Sequence, residues 1–157
     1  MQVPAGRLSL AEHAPRQFAA MFRFQQSIAL ERGLSDLIAL RASQINGCAF
    51  CVDMHWKDMR AAGESDERIH SVSVWRESPL YSERERAALE LCEAMTLVAE
   101  TRVPDDVWER ASAAFDQDEL AQLIFAITAI NSWNRLNVTA RLEPGHYQPG
   151  GFSEAAA

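Results

Sequence analysis

The sequence contains few of the residues that mark specialised classes of protein. Seven glycines and six prolines among 157 residues, with no low-complexity run, exclude a collagen-like or largely disordered chain and predict one globular domain. Lysine and arginine number 15 against 22 acidic residues, which leaves a net charge of −7. Since the basic residues are scattered and an acidic surface repels phosphate, we expect no nucleic-acid partner.

Long apolar runs are also absent. The longest, "LIFAI" at residues 123–127, is far shorter than the ~20 residues that a membrane-spanning helix needs. Pro, Arg, Glu and His interrupt the first twenty residues, so that segment lacks the apolar core of a signal peptide. We therefore expect a cytoplasmic protein that does not associate with a membrane.

Cysteine is scarce, with three residues in the chain. Two of them, Cys48 and Cys51, are close together, and Cys92 is distant from both. Without a secretory signal, a close pair indicates metal binding or redox chemistry more than a structural disulfide. Cys92 falls in the apolar stripe of a predicted helix, so we expect it to be a core residue.

Helical periodicity and capping signals recur along the chain, and no segment shows the alternating pattern of a strand. The pattern predicts an all-α, single-domain bundle of about six to seven helices. The first is expected to run from Pro15 to Gly33, and the second to begin after Ser35 as its cap. Asn46 and Gly47 should end the second helix, because this residue pair suits a positive φ.

Similar signals define the later helices. The third should end near Gly63, and Ser65 should cap the fourth. Two capping boxes, Ser82 with Glu85 and Asp116 with Glu119, predict the starts of two more helices. Pro104 should open another helix between these two. We expect the domain to span residues 1–141, and the turn-rich residues 142–157 to form a mobile C-terminal tail.

The segment "CAFCVDMH" carries the clearest chemical signal. Cys48, Cys51 and His55 lie within a sector of about 60° on one helix. The cysteines occupy the first turns of that helix, where unpaired N–H groups and the helix dipole stabilise a thiolate. His55 is one turn beyond Cys51 and can hold or deliver a proton for it. Cys51 is therefore the better placed nucleophile, and Cys48 lies within disulfide reach as a resolving thiol.

The same residues allow other interpretations. Val52 stands where a c-type haem motif needs histidine, and the helical segment before Cys48 argues against a thioredoxin site, which follows a strand. Structural zinc stays open, with Cys48, Cys51 and His55 as three ligands and Cys92 or another histidine as the fourth. Two buried thiols and a core histidine that merely pack together are a further alternative.

Three segments together resemble a known family: "LRASQINGCAFCVDMHWKDMRAAGES", "SVWRESPLYSERERAALELCEAMT" and "INSWNRLNVTAR". They are similar to the alkylhydroperoxidase D-like branch of the carboxymuconolactone decarboxylase family, over roughly residues 34–141. The resemblance implies an all-helical fold, a homotrimer or homohexamer, and no metal or other cofactor. It implies reduction of a small hydroperoxide by the dithiol, which a thiol reductant, such as a lipoyl or thioredoxin-like protein, then restores.

The resemblance also implies roles for individual residues. Cys51 would attack the peroxide, Cys48 would resolve the product to a disulfide, and His55 would relay protons. The peroxidases of the family carry a glutamate twelve residues before the first cysteine, and this chain has Asp36 there. The shorter aspartate is expected to serve in the same relay, with a bridging water if its reach is insufficient.

Other positions of the match suggest packing more than chemistry. Phe50 stands between the cysteines where some peroxidases of the family have histidine. Asn131, Asn134 and Arg135 match the family's N-x-x-N-R segment, and we expect them to anchor helix packing or a subunit contact. The resulting hypothesis is a thiol-dependent antioxidant peroxidase. Its alternatives are a dithiol oxidoreductase acting on other small oxidants, a carboxymuconolactone decarboxylase-like lyase, and a non-enzymatic helical module with structural zinc.

Overall fold

The computed structural model describes residues 6–151, which form nine α-helices and no strand. The helices are α1 (Leu10–His13), α2 (Pro15–Gln26), α3 (Arg32–Asn46), α4 (Ala49–Ala61), α5 (Asp66–Ser71), α6 (Glu83–Thr96), α7 (Val98–Thr101), α8 (Asp105–Ala114) and α9 (Gln117–Ala140), with a 3-10 turn at Val72–Val74. The all-α prediction is confirmed. The count exceeds the predicted six to seven because α1 and α7 are single turns that periodicity does not resolve.

The predicted boundary between the first two long helices was wrong. The first of them, α2, ends at Gln26, and Gly33 lies inside α3 rather than before it. Ser35 is not a cap, because its N–H donates to the Glu31 carbonyl at 2.9 Å within the helix. The glycine penalty, which is entropic, applies to a helix interior, and Gly33 is only the second residue of α3.

The other predicted helix ends are confirmed. Gly47, with φ of 65°, adopts the left-handed conformation that ends α3. Both capping boxes form, Ser82 with Glu85 at α6 and Asp116 with Glu119 at α9. In each box the side chains satisfy backbone N–H groups that the helix leaves unpaired. These signals involve residues three apart in sequence, so they are independent of the rest of the fold.

Helix α3 lies at the centre of the bundle and packs against α4, α6 and α9. Its buried side chains extend round more than one face, with Ile38 towards α6 and α9, and Leu37 and Leu40 towards the 3-10 turn. Cys92 on α6 is buried in the core, as predicted, and burial raises the pKa of its thiol to about 12. It is therefore a protonated packing residue at neutral pH.

An amide network joins α3 to α9. Asn46 donates to the side-chain oxygens of Asn131 and Asn134 at 3.0 and 2.9 Å, and Asn134 donates to the Ser43 hydroxyl at 3.0 Å. Arg135 donates to the Asn131 carbonyl at 2.8 Å. The N-x-x-N-R segment thus anchors helix packing, as the sequence suggested, and it fixes α9 against the end of α3 that leads into the cysteine pair.

The chain continues beyond α9 along the outside of α4. Lys57 donates to the carbonyls of Gly145 and Tyr147, each at 3.1 Å. The mobility predicted for residues 142–157 stays a prediction, and residues 152–157 lie outside the described part of the chain. Among the helices of residues 6–151, none is both long and apolar enough to cross a membrane.

Candidate active site

The cysteine pair lies at the turn between α3 and α4. Gly47 reverses the chain, and the Cys48 N–H donates to the Ser43 carbonyl of α3 at 3.0 Å. Cys48 is the N-cap residue of α4 with an extended backbone, and Cys51 follows in the first helical turn. The pair therefore occupies the positive end of the helix dipole, as the sequence predicted.

Cys48 and Cys51 form a disulfide, with their Cα atoms 5.4 Å apart. That separation lies within the ordinary disulfide range of roughly 4.4–6.8 Å. The Cys51 N–H lies 3.4 Å from Cys48 Sγ, and the Asn137 amide nitrogen lies 3.4 Å from Cys51 Sγ. Both donors would stabilise negative charge on the sulfurs when the bond is reduced.

A pocket of about 530 Å³ opens onto this disulfide. Its wall contains three of the four predicted site residues, Cys51, His55 and Asp36, whereas Cys48 lies outside the lining formed by the described residues. The remaining wall is mostly apolar and aromatic; it includes Phe18, Phe22, Phe50, Met54, Ile130, Trp133 and Tyr147. Cys51 is thus the sulfur that a molecule in the pocket would meet.

His55 is buried at its reactive atoms. Both imidazole nitrogens are inaccessible to solvent and have no hydrogen-bond partner in the part of the chain that the structure describes. Burial lowers the pKa of His55 to about 4, so the ring is neutral at pH 7. A neutral imidazole offers one donor and one acceptor. In the disulfide state no described residue uses either of them, although the His55 side chain forms part of the pocket wall.

Asp36 lies in the second turn of α3 and faces the same pocket. Burial raises its pKa to about 6; Arg32, whose Nε lies 3.6 Å from Asp36 Oδ2, lowers it, and the negative charge of Asp58 raises it. The carboxyl group therefore changes protonation close to physiological pH. That property suits a group that accepts and returns a proton.

Sequence reasoning missed three polar residues of this site. Asn137 reaches Cys51 from α9, Asp58 lines the pocket from α4, and the Tyr147 hydroxyl donates to both Asp58 oxygens at 2.9 and 3.1 Å. Burial is the main cause that raises the pKa of Asp58. In the sequence Asp58 is the second polar residue after His55 on the predicted helix. The neighbouring residues did not indicate which other segments would face it.

The described residues bring together no group of three or more histidine, cysteine, aspartate or glutamate side chains that could hold a metal ion. Cys48 and Cys51 are joined to each other, and Cys92 lies in the core formed by α3, α6 and α9. The ligand set suggested for structural zinc is therefore not assembled in this state.

Comparison with known sequences gives a consistent match. The family described as "Carboxymuconolactone decarboxylase family" matches residues 15–94, about half of the chain. The uncharacterized protein YdfG of Bacillus subtilis is 40% identical over 135 residues, which cover 84% of this chain and 92% of YdfG. The uncharacterized protein YnjA of Escherichia coli is 34% identical over 108 residues, or 69% of this chain and 59% of YnjA.

Solved structures share the fold. A protein of unknown function from Agrobacterium tumefaciens, ATU0492, whose description proposes the antioxidant defence protein AhpD, superposes with a TM-score of 0.87 at 45% identity. The match covers 91% of this chain and all of that one. The AhpD core of a peroxidase-related protein from Ralstonia eutropha gives a TM-score of 0.72 at 24% identity, covering 87% and 74% of the two chains, and shows the fold alone. The chain belongs to the carboxymuconolactone decarboxylase family, in its alkylhydroperoxidase D-like branch.

Proposed function

We propose that the protein is a thiol-dependent peroxidase that reduces a small hydroperoxide with the Cys48–Cys51 dithiol. The observation that carries the proposal is the disulfide at the start of α4, with Cys51 in the wall of a pocket that also contains His55 and Asp36. The AhpD-related description of ATU0492, at 45% identity, supports the same assignment.

The first step oxidises Cys51. Its thiolate attacks the distal peroxide oxygen, the O–O bond breaks, and Cys51 becomes a sulfenic acid while an alkoxide or hydroxide leaves. The leaving oxygen needs a proton, which His55 or Asp36 supplies from the pocket wall. The Asn137 amide and the helix dipole stabilise the attacking thiolate.

The second step forms the disulfide seen in the structure. The Cys48 thiol attacks the Cys51 sulfenic acid, a sulfur–sulfur bond forms, and the hydroxyl leaves as water after taking a proton. The balance is two thiols and one hydroperoxide giving one disulfide, one alcohol and one water. In the bonded product the Cα atoms of Cys48 and Cys51 lie 5.4 Å apart, within the ordinary disulfide range of roughly 4.4–6.8 Å.

His55 changes character between the two redox states. Its low pKa belongs to the disulfide form, in which no negative sulfur lies beside it. A Cys51 thiolate one helical turn away would favour the imidazolium and raise that pKa. His55 can therefore take the Cys51 proton as the thiolate forms and return it as the leaving oxygen departs.

The cycle requires a second substrate. A thiol reductant, which we propose is a lipoyl or thioredoxin-like protein, donates two electrons and two protons to the disulfide and is itself oxidised. We further propose a cytoplasmic homo-oligomer, a trimer or hexamer as the family resemblance implies. Light scattering tests the assembly directly, and a monomeric mass would contradict it.

The decisive experiment is a titration of the three thiols in unfolded protein before and after one equivalent of cumene hydroperoxide, with mass spectrometry to locate any new bond. We expect loss of two thiols to a Cys48–Cys51 bridge. Cys51→Ser should abolish peroxide consumption, whereas Cys48→Ser should consume one equivalent and stop at the sulfenic acid. Turnover that survives in Cys51→Ser would overturn the proposal.

The same samples distinguish the alternatives. A bridge that forms with disulfides or other oxidants but not with hydroperoxides would indicate a dithiol oxidoreductase of different specificity. Release of carbon dioxide from a γ-carboxymuconolactone by a cysteine-free variant would indicate a lyase. One equivalent of tightly held zinc per reduced chain, with no titratable thiol in the pair, would indicate the structural module.

A further inference from the structure

The C-terminal segment, residues 142–151, lies against α4, the helix that carries Cys51. Most of its residues are exposed, but Tyr147 is half-buried. The Tyr147 side chain packs against the cluster formed by Cys48, Phe50 and Cys51, and it also lines the pocket that leads to Cys51. One side chain from beyond the last helix therefore packs on the cluster that contains the cysteine pair and shares a pocket wall with Cys51.

We propose that Tyr147 is a specificity-determining residue, which limits by size the thiols and hydroperoxides that reach the Cys48–Cys51 pair. The proposal rests on the dithiol chemistry proposed above for the peroxide, but for thiol reductants it needs only the disulfide. Both sulfurs are almost inaccessible to solvent, at 2% and 0% exposure. Since thiol–disulfide exchange requires contact with a sulfur atom, the side chain that covers the pair controls that contact.

Specific hydrogen bonds, and not packing alone, set the position of Tyr147. Its hydroxyl donates to both oxygens of Asp58, at 2.9 and 3.1 Å. Its ring meets Phe50 nearly edge-on, with the ring centres 6.5 Å apart. Because Asp58 and Phe50 both belong to α4, the ring is held against the same helix that carries Cys51.

The backbone of the segment is also hydrogen-bonded to α4, through Gly145 and Tyr147. Lys57 donates to the carbonyls of Gly145 and Tyr147 and to Asp53, at 3.1, 3.1 and 2.8 Å, and the Gly145 N–H donates to Asp53 at 3.0 Å. Asp53 and Lys57 are one turn apart on α4. Since most residues of the segment are exposed and these contacts with α4 are polar, local opening should cost less than global unfolding.

The size of the opening determines what can enter. A pocket of about 530 Å³ accommodates a compact organic molecule. Reagents bulkier than the space between Tyr147 and the aromatic side chains of α2 and α9 must wait until the C-terminal segment detaches from α4. Small thiols and small hydroperoxides should need only a smaller local displacement to reach the sulfurs.

The test compares two monothiols of similar chemistry and different size, 2-mercaptoethanol and glutathione, as reductants of the preformed bridge in the full-length protein. Each reduction consumes two thiols, releases their disulfide, and leaves Cys48 and Cys51 as thiols. For Tyr147→Ala we expect the glutathione rate to rise at least about tenfold more than the 2-mercaptoethanol rate. An unchanged ratio of the two rates would overturn the proposal.

Two further variants make the result specific. Lys57→Gln removes the ammonium group that binds the Gly145 and Tyr147 carbonyls and leaves the Tyr147 ring in place, and it should shift the ratio in the same direction by a smaller factor. Gln148→Ala changes the exposed neighbour of Tyr147, and it should behave as wild type. If Tyr147→Ala fails to fold, the ratio of the two reduction rates in Lys57→Gln decides whether the proposal stands. A ratio that shifts equally in Gln148→Ala would contradict a role for Tyr147.

Peroxide measurements separate this proposal from the proposed function. Tyr147→Ala should raise the ratio of activity with cumene hydroperoxide to activity with hydrogen peroxide. Absence of peroxide turnover in every variant, including wild type, would defeat the peroxidase assignment, while the thiol ratios would still decide the role of Tyr147. If oxidation with diamide cannot produce the Cys48–Cys51 bridge, the size-limiting role is refuted.

Discussion

Two partly buried carboxylates, Glu93 on α6 and Asp36 on α3, have opposite electrostatic properties. Their side chains are almost equally exposed, at 13% and 18%. Burial acts to raise the pKa of both, but in Glu93 hydrogen bonds from Arg76, Trp75 and Arg41 outweigh it and lower the pKa. In Asp36 burial prevails and the pKa rises to about 6, because the opposing charge of Arg32, 3.6 Å away, does not offset it.

The two carboxylates differ in how completely their surroundings satisfy polar groups. Around Glu93, the Arg41 and Trp75 nitrogens approach the same carboxylate oxygen at 2.7 and 2.9 Å. Around the disulfide, the His55 nitrogens have no partner in the described part of the chain, and Asp36 is poorly compensated. Buried polar groups are normally paired, so the unpaired His55 nitrogens and the weakly compensated Asp36 carboxylate in one pocket wall support the catalytic role proposed for them.

The strongest test of this contrast is His55→Gln. Removing the proton carrier should lower peroxide turnover by about 10²–10⁴-fold, the usual contribution of general acid–base catalysis. The free energy of unfolding should stay nearly unchanged, because the described residues give the His55 ring nitrogens no hydrogen bond to lose. Steady-state peroxide consumption and urea denaturation measure the two quantities. A large loss of stability with normal turnover would make His55 a structural residue.

Glu93→Ala should show the reverse pattern. It leaves Arg41, Arg76 and the Trp75 N–H without their shared acceptor, and we expect a loss of about 2–4 kcal/mol in the free energy of unfolding. Turnover per folded molecule should be unchanged, since Glu93 does not line the pocket. The matched control is Glu83→Ala on the same helix, where the side chain is 99% exposed and the expected change is within about 0.5 kcal/mol. Equal effects of the two substitutions would contradict the comparison.

Asp36→Asn should stabilise the protein while reducing turnover. The folded protein holds the Asp36 proton more tightly than the unfolded chain, because the pKa rises from 3.8 to about 6. The charged form is therefore unfavourable in the fold above pH 6, by about 3 kcal/mol before solvent screening and about 1–2 kcal/mol after it. We expect a gain of that size at pH 7, measured by urea denaturation.

The pH dependence gives this prediction its sign. As pH falls from about 6 towards 3.8, wild-type Asp36 takes up its proton and recovers the lost stability, so the advantage of Asp36→Asn should shrink and vanish near pH 4. Wild-type turnover should also decline as pH falls through about 6 if the carboxylate accepts a proton. An advantage that grows on acidification would mean that the Asp36 pKa is lowered in the fold.

Local signals made much of the fold predictable from the sequence. Gly47 ends α3 because its backbone permits positive φ, and both capping boxes depend on residues three apart. The placement of Cys51 and His55 one turn apart on α4 follows from helical spacing alone. Cys48, which the spacing placed on the same helical face, is instead the extended N-cap residue of α4 and lies outside the pocket lining formed by the described residues.

The errors and omissions arose where distant segments meet. Gly33 was taken as a helix end, but glycine also fits the first turn of a helix, and periodicity does not distinguish these cases. Asn137, Asp58 and Tyr147 reach the site through contacts between α9, α4 and the C-terminal segment. A propensity or a motif within one helix carries no information on which other segment will face it.

The third cysteine gives the smallest and most discriminating prediction. Cys92→Ala removes a buried thiol that donates to the Ile38 carbonyl at 3.3 Å, and we expect a loss of about 1 kcal/mol in the free energy of unfolding. Peroxide turnover should be unchanged, because burial raises the Cys92 pKa to about 12 and leaves no reactive thiolate. The variant should present two thiols, both lost to one equivalent of hydroperoxide. A turnover defect without a matching loss of stability would place Cys92 in the redox cycle, and reactivity would then not follow from location at the start of α4.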